Sequence, residues 1–403
     1  MLWTALKQLV FMILLYLFLF GCSSTTIHDE NPDGDVDLDL EKESAINGDQ
    51  DALDNEKDSL IDGEPEELEP EEDQTMVDGD ISESDSEEAN DNENEVEQEI
   101  EIEIEELESE AEEDDTVYQS NIDPYLDGGL TVYNMEISEG ENNAPKDMTI
   151  YTPLNTGKYA VVMFHHGFIM NHKVYSGMLT HLASHGFIVV APQMYPPLIP
   201  IGVMSSAEEA IQASQVYDWI KVEIENIVGV EVDLNKIGLM GHSRGAKVSW
   251  THLKNNGSAD FMAVAGLDPV DGTGGPGGTE TRVVDGQFSF SIPALIIGTG
   301  LGPSGISPCA PSGDNHIQFY AASNSPAWHV VATNNGHNDM TDDNCGVACL
   351  ACSSGGNKDK VRQLFGGLLS AFFRFTLQDD IAAVDVLSDI ERAPVSITVE
   401  SKL

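Results

Sequence analysis

The chain is short of positive charge: 18 lysines and arginines stand against 71 aspartates and glutamates in 403 residues, for a net charge of −53. With no basic stripe to displace counterions from phosphates, a nucleic-acid binder is excluded, and the balance argues against electrostatic docking on an anionic bilayer. Aromatics are missing altogether from residues 23–116. That stretch also lacks any period of 3.6 or 2 long enough to bury a face, so it cannot repay its ordering entropy and is expected to stay disordered. No apolar run reaches the roughly 20 residues of a membrane-spanning helix. The run at 9–20 stops at 12 residues, just before Gly21-Cys22.

What is present divides the chain into three materials. Residues 1–22 carry only Lys7 among charged side chains; residues 23–116 carry 42 acids with Lys42 and Lys57, or −40; residues 117–403 carry 29 acids and 15 bases, or −14. A positive start, a short apolar core and a small residue before the cut read as a secretory signal peptide over 1–21. Leu19-Phe20-Gly21-Cys22 resembles the lipobox of bacterial lipoproteins, which implies lipidation of Cys22 and a membrane partner held through that anchor, at the outer membrane or cell surface. Phe20 is larger than the pattern favours. Residues 22–116 then read as an acidic tether, roughly 50–60 Å long as a flexible coil and longer with self-repulsion. Asp33-Gly34-Asp35-Val36-Asp37 has the look of a calcium loop, but no stretch completes the EF-hand spacing.

Residues 117–403 suffice for one large domain. Strands are expected at 130–137, 148–151, 159–164, 187–191, 237–240, 261–267, 293–297 and 327–332. Helices are expected at 174–184, from Ser206 through 224, at 246–253 and at 361–376, the second opened by a capping box of Ser206 with Glu209. Buried strands alternating with helices predict an α/β fold with a mostly parallel central sheet and helices on both faces, its site beyond the carboxyl ends of the strands.

Gly241-His242-Ser243-Arg244-Gly245 joins an expected strand to an expected helix, the context of a nucleophile elbow, in which small residues let the chain turn tightly and the serine hydroxyl stands clear. A serine needs a base oriented by an acid, in the chain order Ser, acid, His. Of the histidines well beyond Ser243, His329 falls in a strand and His316 at a helix start, which leaves His337, in the loop after the last expected strand, as general base. Leu267-Asp268-Pro269-Val270-Asp271 offers two acids. Asp268 is preferred because a strand end fixes geometry better than a loop, and Asp271 remains the alternative, otherwise suited to shaping the glycine-rich loop 272–278. The oxyanion donors are expected to be the amides of Arg244 and Phe168, with His165, His166 and His242 as bystanders. Phe168, Ile169, Met194, Tyr195, Pro196 and Leu198 suit an apolar groove, although core packing is the better account of Met194.

Several segments, in order, resemble the chlorophyllases, within the α/β-hydrolase superfamily near the cutinase-like and platelet-activating-factor-acetylhydrolase-like esterases: VVMFHHGF at 161–168, LASHGFIVVAPQMY at 182–195, GHSRGAK at 241–247, GLDPVDG at 266–272, IIGTGLG at 296–302, PCAPSGDN at 308–315 and GHNDM at 336–340. The resemblance implies a serine carboxylesterase with Ser243, Asp268 and His337 at the triad positions, no cofactor or metal, and a lipophilic ester as substrate. Ala246 stands where the family usually has glycine, and the signal, tether and tail from Asp379 are departures. A broad cutinase- or lipase-like esterase without chlorophyll activity is the alternative, and a catalytically silent surface-binding lipoprotein the rival from another class. Apart from Cys22, the cysteines are Cys309, Cys345, Cys349 and Cys352, an even number that in an exported chain predicts two disulfides with three possible connectivities; their spacing does not suit a common zinc site.

Overall fold

A computed structural model describes residues 122–197, 204–272, 280–346 and 348–403. The export signal, Cys22, the acidic tether, Leu198 and all of the glycine-rich loop beyond Gly272 lie outside the described residues.

Nine strands form one sheet: β1 Val132–Ile137, β2 Met148–Pro153, β3 Lys158–His165, β4 Phe187–Pro192, β5 Glu231–His242, β6 Ala263–Leu267, β7 Ala294–Thr299, β8 Ala327–Ala332 and β9 Ile397–Lys402. The helices are α1 Ser176–Ser184, α2 Ser206–Val228, α3 Arg244–Asn256, α4 His316–Ala322, α5 Ala348–Ala351 and α6 Lys358–Leu377. Strand order is β1-β2-β4-β3-β5-β6-β7-β8-β9. The pairs from β4 through β3, β5, β6 and β7 to β8 are parallel, and the outer pairs β1–β2, β2–β4 and β8–β9 are antiparallel. This is the mostly parallel α/β-hydrolase sheet.

The central strands are apolar runs because both of their faces are covered. Side chains alternate across a strand, so Val162, Phe164, Phe187 and Val189 join one core while Val161, Met163, Ile188 and Val190 join the other. Met178, Leu179 and Leu182 of α1 and Leu364, Leu368 and Phe372 of α6 close the first core; Val216, Ile220 and Ile224 of α2 and Val248, Trp250 and Leu253 of α3 close the second. Among the described residues no helix is long and apolar enough to cross a membrane.

Three expectations are corrected or extended. The capping box of α2 is Ser205 with Glu208, one residue earlier than expected. Both registers satisfy the S-x-x-E spacing, but Glu209 is buried and bonded to Arg244, so it is not free to cap. Strand β5 begins at Glu231 and pairs with β3 across an irregularity, where Asp233 and then Ile237 face consecutive residues of β3; Asn235 and Lys236, in the gap, hide its first half from a hydropathy reading. Strand β9 was not expected: it is an edge strand with Glu400 and Lys402 among its side chains, and Lys402 Nζ donates to the carbonyls of Tyr320, Ala321 and Ser323 at the end of α4, at 2.7, 3.0 and 2.8 Å. A cation there completes the last carbonyls of the helix.

Candidate active site

The site residues converge because strands β5, β6 and β8 run parallel and end on one side. At the end of β5 the chain reverses at Ser243, with φ 55° and ψ −121°, and enters α3 directly. Glycine is required on both sides: a Cβ on Gly241 would overlap the backbone of Gly245, and one on Gly245 the carbonyls of His165 and His166. Ser243 N–H donates to Leu267 O at 2.9 Å, which ties the elbow to the end of β6. A positive φ on a non-glycine residue is strained and persists only where its surroundings impose it.

Asp268 follows β6 immediately, also at positive φ (40°), and is wholly buried. Its Oδ2 lies 2.7 Å from His337 Nδ1 and accepts from Thr299 Oγ1 at 2.6 Å, while Oδ1 accepts Thr299 N–H at 3.0 Å. Burial alone would raise this carboxyl, but the hydrogen bond and charge of His337, His316 nearby and the Thr299 hydroxyl carry it below its ordinary value. The structure thus pairs Asp268 with His337. Asp271 instead accepts the amides of Val283 and Val284 at 2.8 and 2.9 Å and lies 3.5 Å from Lys247 Nζ. It binds the chain at Val283 and Val284.

His337 sits in a clamped loop. Asp339 Oδ2 accepts the amides of Gly336 and Gly355 at 2.7 and 2.8 Å, and Asn338 Nδ2 donates to Cys352 Sγ at 3.2 Å. The described disulfides are Cys309–Cys352 and Cys345–Cys349. The first therefore fastens the segment against Asn338 to the chain beyond β7.

The Phe168 amide stands between engaged neighbours. Gly167 N–H donates to Tyr175 Oη and Ile169 N–H to Tyr195 Oη, both at 3.1 Å, while the amides of Phe168 and Arg244 have no hydrogen bond to other described residues. Phe168 is exposed and its ring lies 5.5 Å from the Arg244 guanidinium. That guanidinium is held by Glu209, by Glu280 Oε1 at 2.8 Å and by Met204 O at 2.6 Å. Of the proposed groove, Phe168 and Pro196 are exposed, Ile169 is half-buried, and Met194 and Tyr195 are buried, with Met194 in a core as foreseen.

His165 Nδ1 pairs with Ser249 Oγ at 2.9 Å, and His166 Nε2 accepts Met194 N–H at 3.0 Å; burial takes His165 down to about 3 and His166 to about 4. His316 Nδ1 and His329 Nε2 are 2.7 Å apart, and His329 Nδ1 meets Glu400 at 3.1 Å. Sequence reasoning assigned no role to Tyr175, Thr299 or Asp339; Thr299 and Asp339 lie inside quoted motifs, whereas nothing in the sequence singles out Tyr175. Among the described residues no cluster of histidines, cysteines and acids could hold a metal. A cavity of about 360 Å³ opens at the other end of the strands, by Lys158, Gly186 and Asp233, and contains none of these residues.

A family model described as chlorophyllase matches residues 122–403. Chlorophyllase-2 of Arabidopsis thaliana is 34% identical over 282 residues, covering 64% of this chain and 87% of that one. Chlorophyllase-1, chloroplastic, of Citrus unshiu is 35% identical over 267 residues, covering 63% and 79%. Chlorophyllase-1 of Arabidopsis thaliana is 32% identical over 299 residues, covering 68% and 91%.

Proposed function

The chain belongs to the chlorophyllase family, and from that premise we propose that it is a serine carboxylic ester hydrolase that cleaves a lipophilic ester through an acyl-enzyme. The observation that carries this reading is the 2.7 Å contact of Asp268 with His337 Nδ1 beside a serine on a strained strand-to-helix turn. In this mechanism His337 Nε2 takes the proton of Ser243 Oγ as the oxygen attacks the ester carbonyl carbon. Asp268 fixes the tautomer and stabilises the imidazolium. The oxyanion is met by the amides of Phe168 and Arg244. Collapse breaks the bond to the alcohol, which leaves with the proton from His337, and water then attacks the acyl-enzyme by the same route in reverse.

The names of the relatives make the phytyl ester of chlorophyll one substrate to test; exposed Phe168 and Pro196 suit any long apolar alcohol or acyl chain. The signal and lipobox residues support export and a lipid anchor at Cys22, with residues 22–116 as a spacer that sets the enzyme off the membrane surface. The test uses the full chain and its Ser243→Ala variant on chlorophyll and on p-nitrophenyl esters of increasing chain length. The expected outcome is hydrolysis that rises with chain length and disappears in the variant. Equal rates for the two proteins would overturn the enzyme reading and leave the silent-lipoprotein alternative; activity on synthetic esters with none on chlorophyll would assign a broad esterase.

A further inference from the structure

His242, between Gly241 and Ser243, links two loops that the reaction needs. Its Nε2 lies 3.0 Å from the carbonyl oxygen of His337, and its Nδ1 lies 2.7 Å from Tyr175 Oη. The direction of each bond follows from chemistry. A carbonyl only accepts, so Nε2 carries the proton. The ring is wholly buried, and burial together with the neighbouring His337 takes it down to about 3, so at neutral pH it holds only that one proton. Nδ1 therefore presents a lone pair, which accepts the Tyr175 hydroxyl proton. The hydroxyl oxygen, its proton committed, accepts Gly167 N–H at 3.1 Å. The thioether of Met170, 3.0 Å from the same hydroxyl, is the weaker competing acceptor.

The result is a directed chain from Gly167 N–H to Tyr175 Oη–H to His242, and from His242 Nε2–H to the carbonyl of His337. At one end is the residue before Phe168, whose own amide is left for the oxyanion. At the other is the main chain of the general base, whose ring is held separately by Asp268. The space is too tight for substitutes: a Cβ on Gly167 would lie 2.8 Å from His242 Nδ1 and 3.1 Å from Tyr175 Oη. The rings of His242 and His337 are 4.6 Å apart, centroid to centroid.

We propose that Tyr175 and His242 are positioning residues that lock the Phe168 loop and the His337 loop in register, so that oxyanion donor and general base address the same carbonyl. The proposal rests on the serine-hydrolase reading. A displacement of about 1 Å in such groups costs roughly 100-fold, and the effect belongs in turnover, because both side chains are wholly buried.

The experiment measures kcat and KM of the full chain on its best p-nitrophenyl ester for Tyr175→Phe, His242→Leu and His242→Gln, normalised to active sites titrated with p-nitrophenyl diethyl phosphate, and the rate of Ser243→Ala, which lacks the serine to titrate, per mole of protein. Tyr175→Phe removes a single oxygen from a packed ring and is the variant that keeps the fold. It should lose roughly 10- to 100-fold in kcat per titrated site, with KM within about twofold. His242→Leu should lose as much or more, and His242→Gln, which retains a donor for the His337 carbonyl, should recover part of the loss. Wild-type kcat per titrated site in Tyr175→Phe, or a change confined to KM, would overturn the proposal. If Ser243→Ala is inactive and Tyr175→Phe is unimpaired, only the positioning role falls; if Ser243→Ala retains full activity, the serine reading falls with it.

Discussion

Two buried polar clusters flank Ser243, and they are built from different materials. On one side Arg244 and Lys247 are surrounded by Glu209, Glu280 and Asp271. On the other, Asp268 is surrounded by His337, His316 and Thr299, with no lysine or arginine bonded to it among the described residues. The first cluster gathers two cationic side chains against three acids. Its carboxylates are already answered, and burial raises Glu209 to about 7 and moves Asp271 upward despite Lys247. The second has one buried acid whose partner is the His337 imidazole. An acid already neutralised by lysine has little left to offer an imidazolium that forms during the reaction. In the proposed mechanism, that contrast is the reason for assigning the acid role to Asp268 and a scaffold role to Asp271, three residues on.

The sharpest way to break this comparison is to neutralise one acid from each cluster. Asp268→Asn should lower kcat roughly 10⁴-fold, by analogy with other triads, while Asp271→Asn should cost about tenfold or less and show mainly as a lower melting temperature. The opposite ranking would exchange the roles of the two clusters. Opening the ionic cluster by Glu209→Ala leaves Arg244 held by Glu280 and the Met204 carbonyl and should cost about 1.5–3 kcal/mol, the range for a lost hydrogen bond to a charged group, read from the urea midpoint of unfolding. A shift below about 1 kcal/mol would mean that the cluster is solvated and does not brace the elbow.

Acid should act on the histidine side. His165, His166 and His242 are held neutral by burial, at about 3, 4 and 3 against an ordinary 6.5. The unfolded chain therefore binds more protons than the folded one below 6.5. The stability these rings contribute is complete above that pH and is lost as pH falls toward 3–4, by about 1.4 kcal/mol per pH unit for each ring. Asp268, depressed below its ordinary 3.8, adds a loss of the same sign at still lower pH. Urea midpoints taken between pH 7.5 and 4.5 should fall steadily, and a flat profile would show that the rings protonate in place. The smallest effect is expected from Thr299→Val, which removes one of the hydroxyl and amide bonds to Asp268 and should reduce kcat about tenfold with KM unchanged.

Much of this was legible in the sequence because it rests on local rules. The elbow declares itself through Gly241 and Gly245, the central strands through apolar runs such as 187–191, and His337 through chain order. The residues that stayed hidden act through partners far along the chain. Tyr175 meets His242 across 67 positions and Thr299 meets Asp268 across 31, separations that no periodicity reports. The choice between Asp268 and Asp271 was open for the same reason, since both follow β6 and only the partners brought in from β8 and α3 separate them. The cap of α2 shifted by one residue because Glu209 has a stronger long-range partner in Arg244, which overrides an equally good local pattern. Strand β9 was obscured because an edge strand with few buried positions has no run and no clean alternation to read.

The central claim is that Ser243 is a nucleophile activated by His337 and Asp268, and covalent capture tests it most directly. The full chain treated with a fluorophosphonate should gain one adduct by intact mass, mapped to Ser243, absent from Ser243→Ala and formed far more slowly in Asp268→Asn. No adduct on the wild-type chain, or one mapped to another residue, would contradict the account.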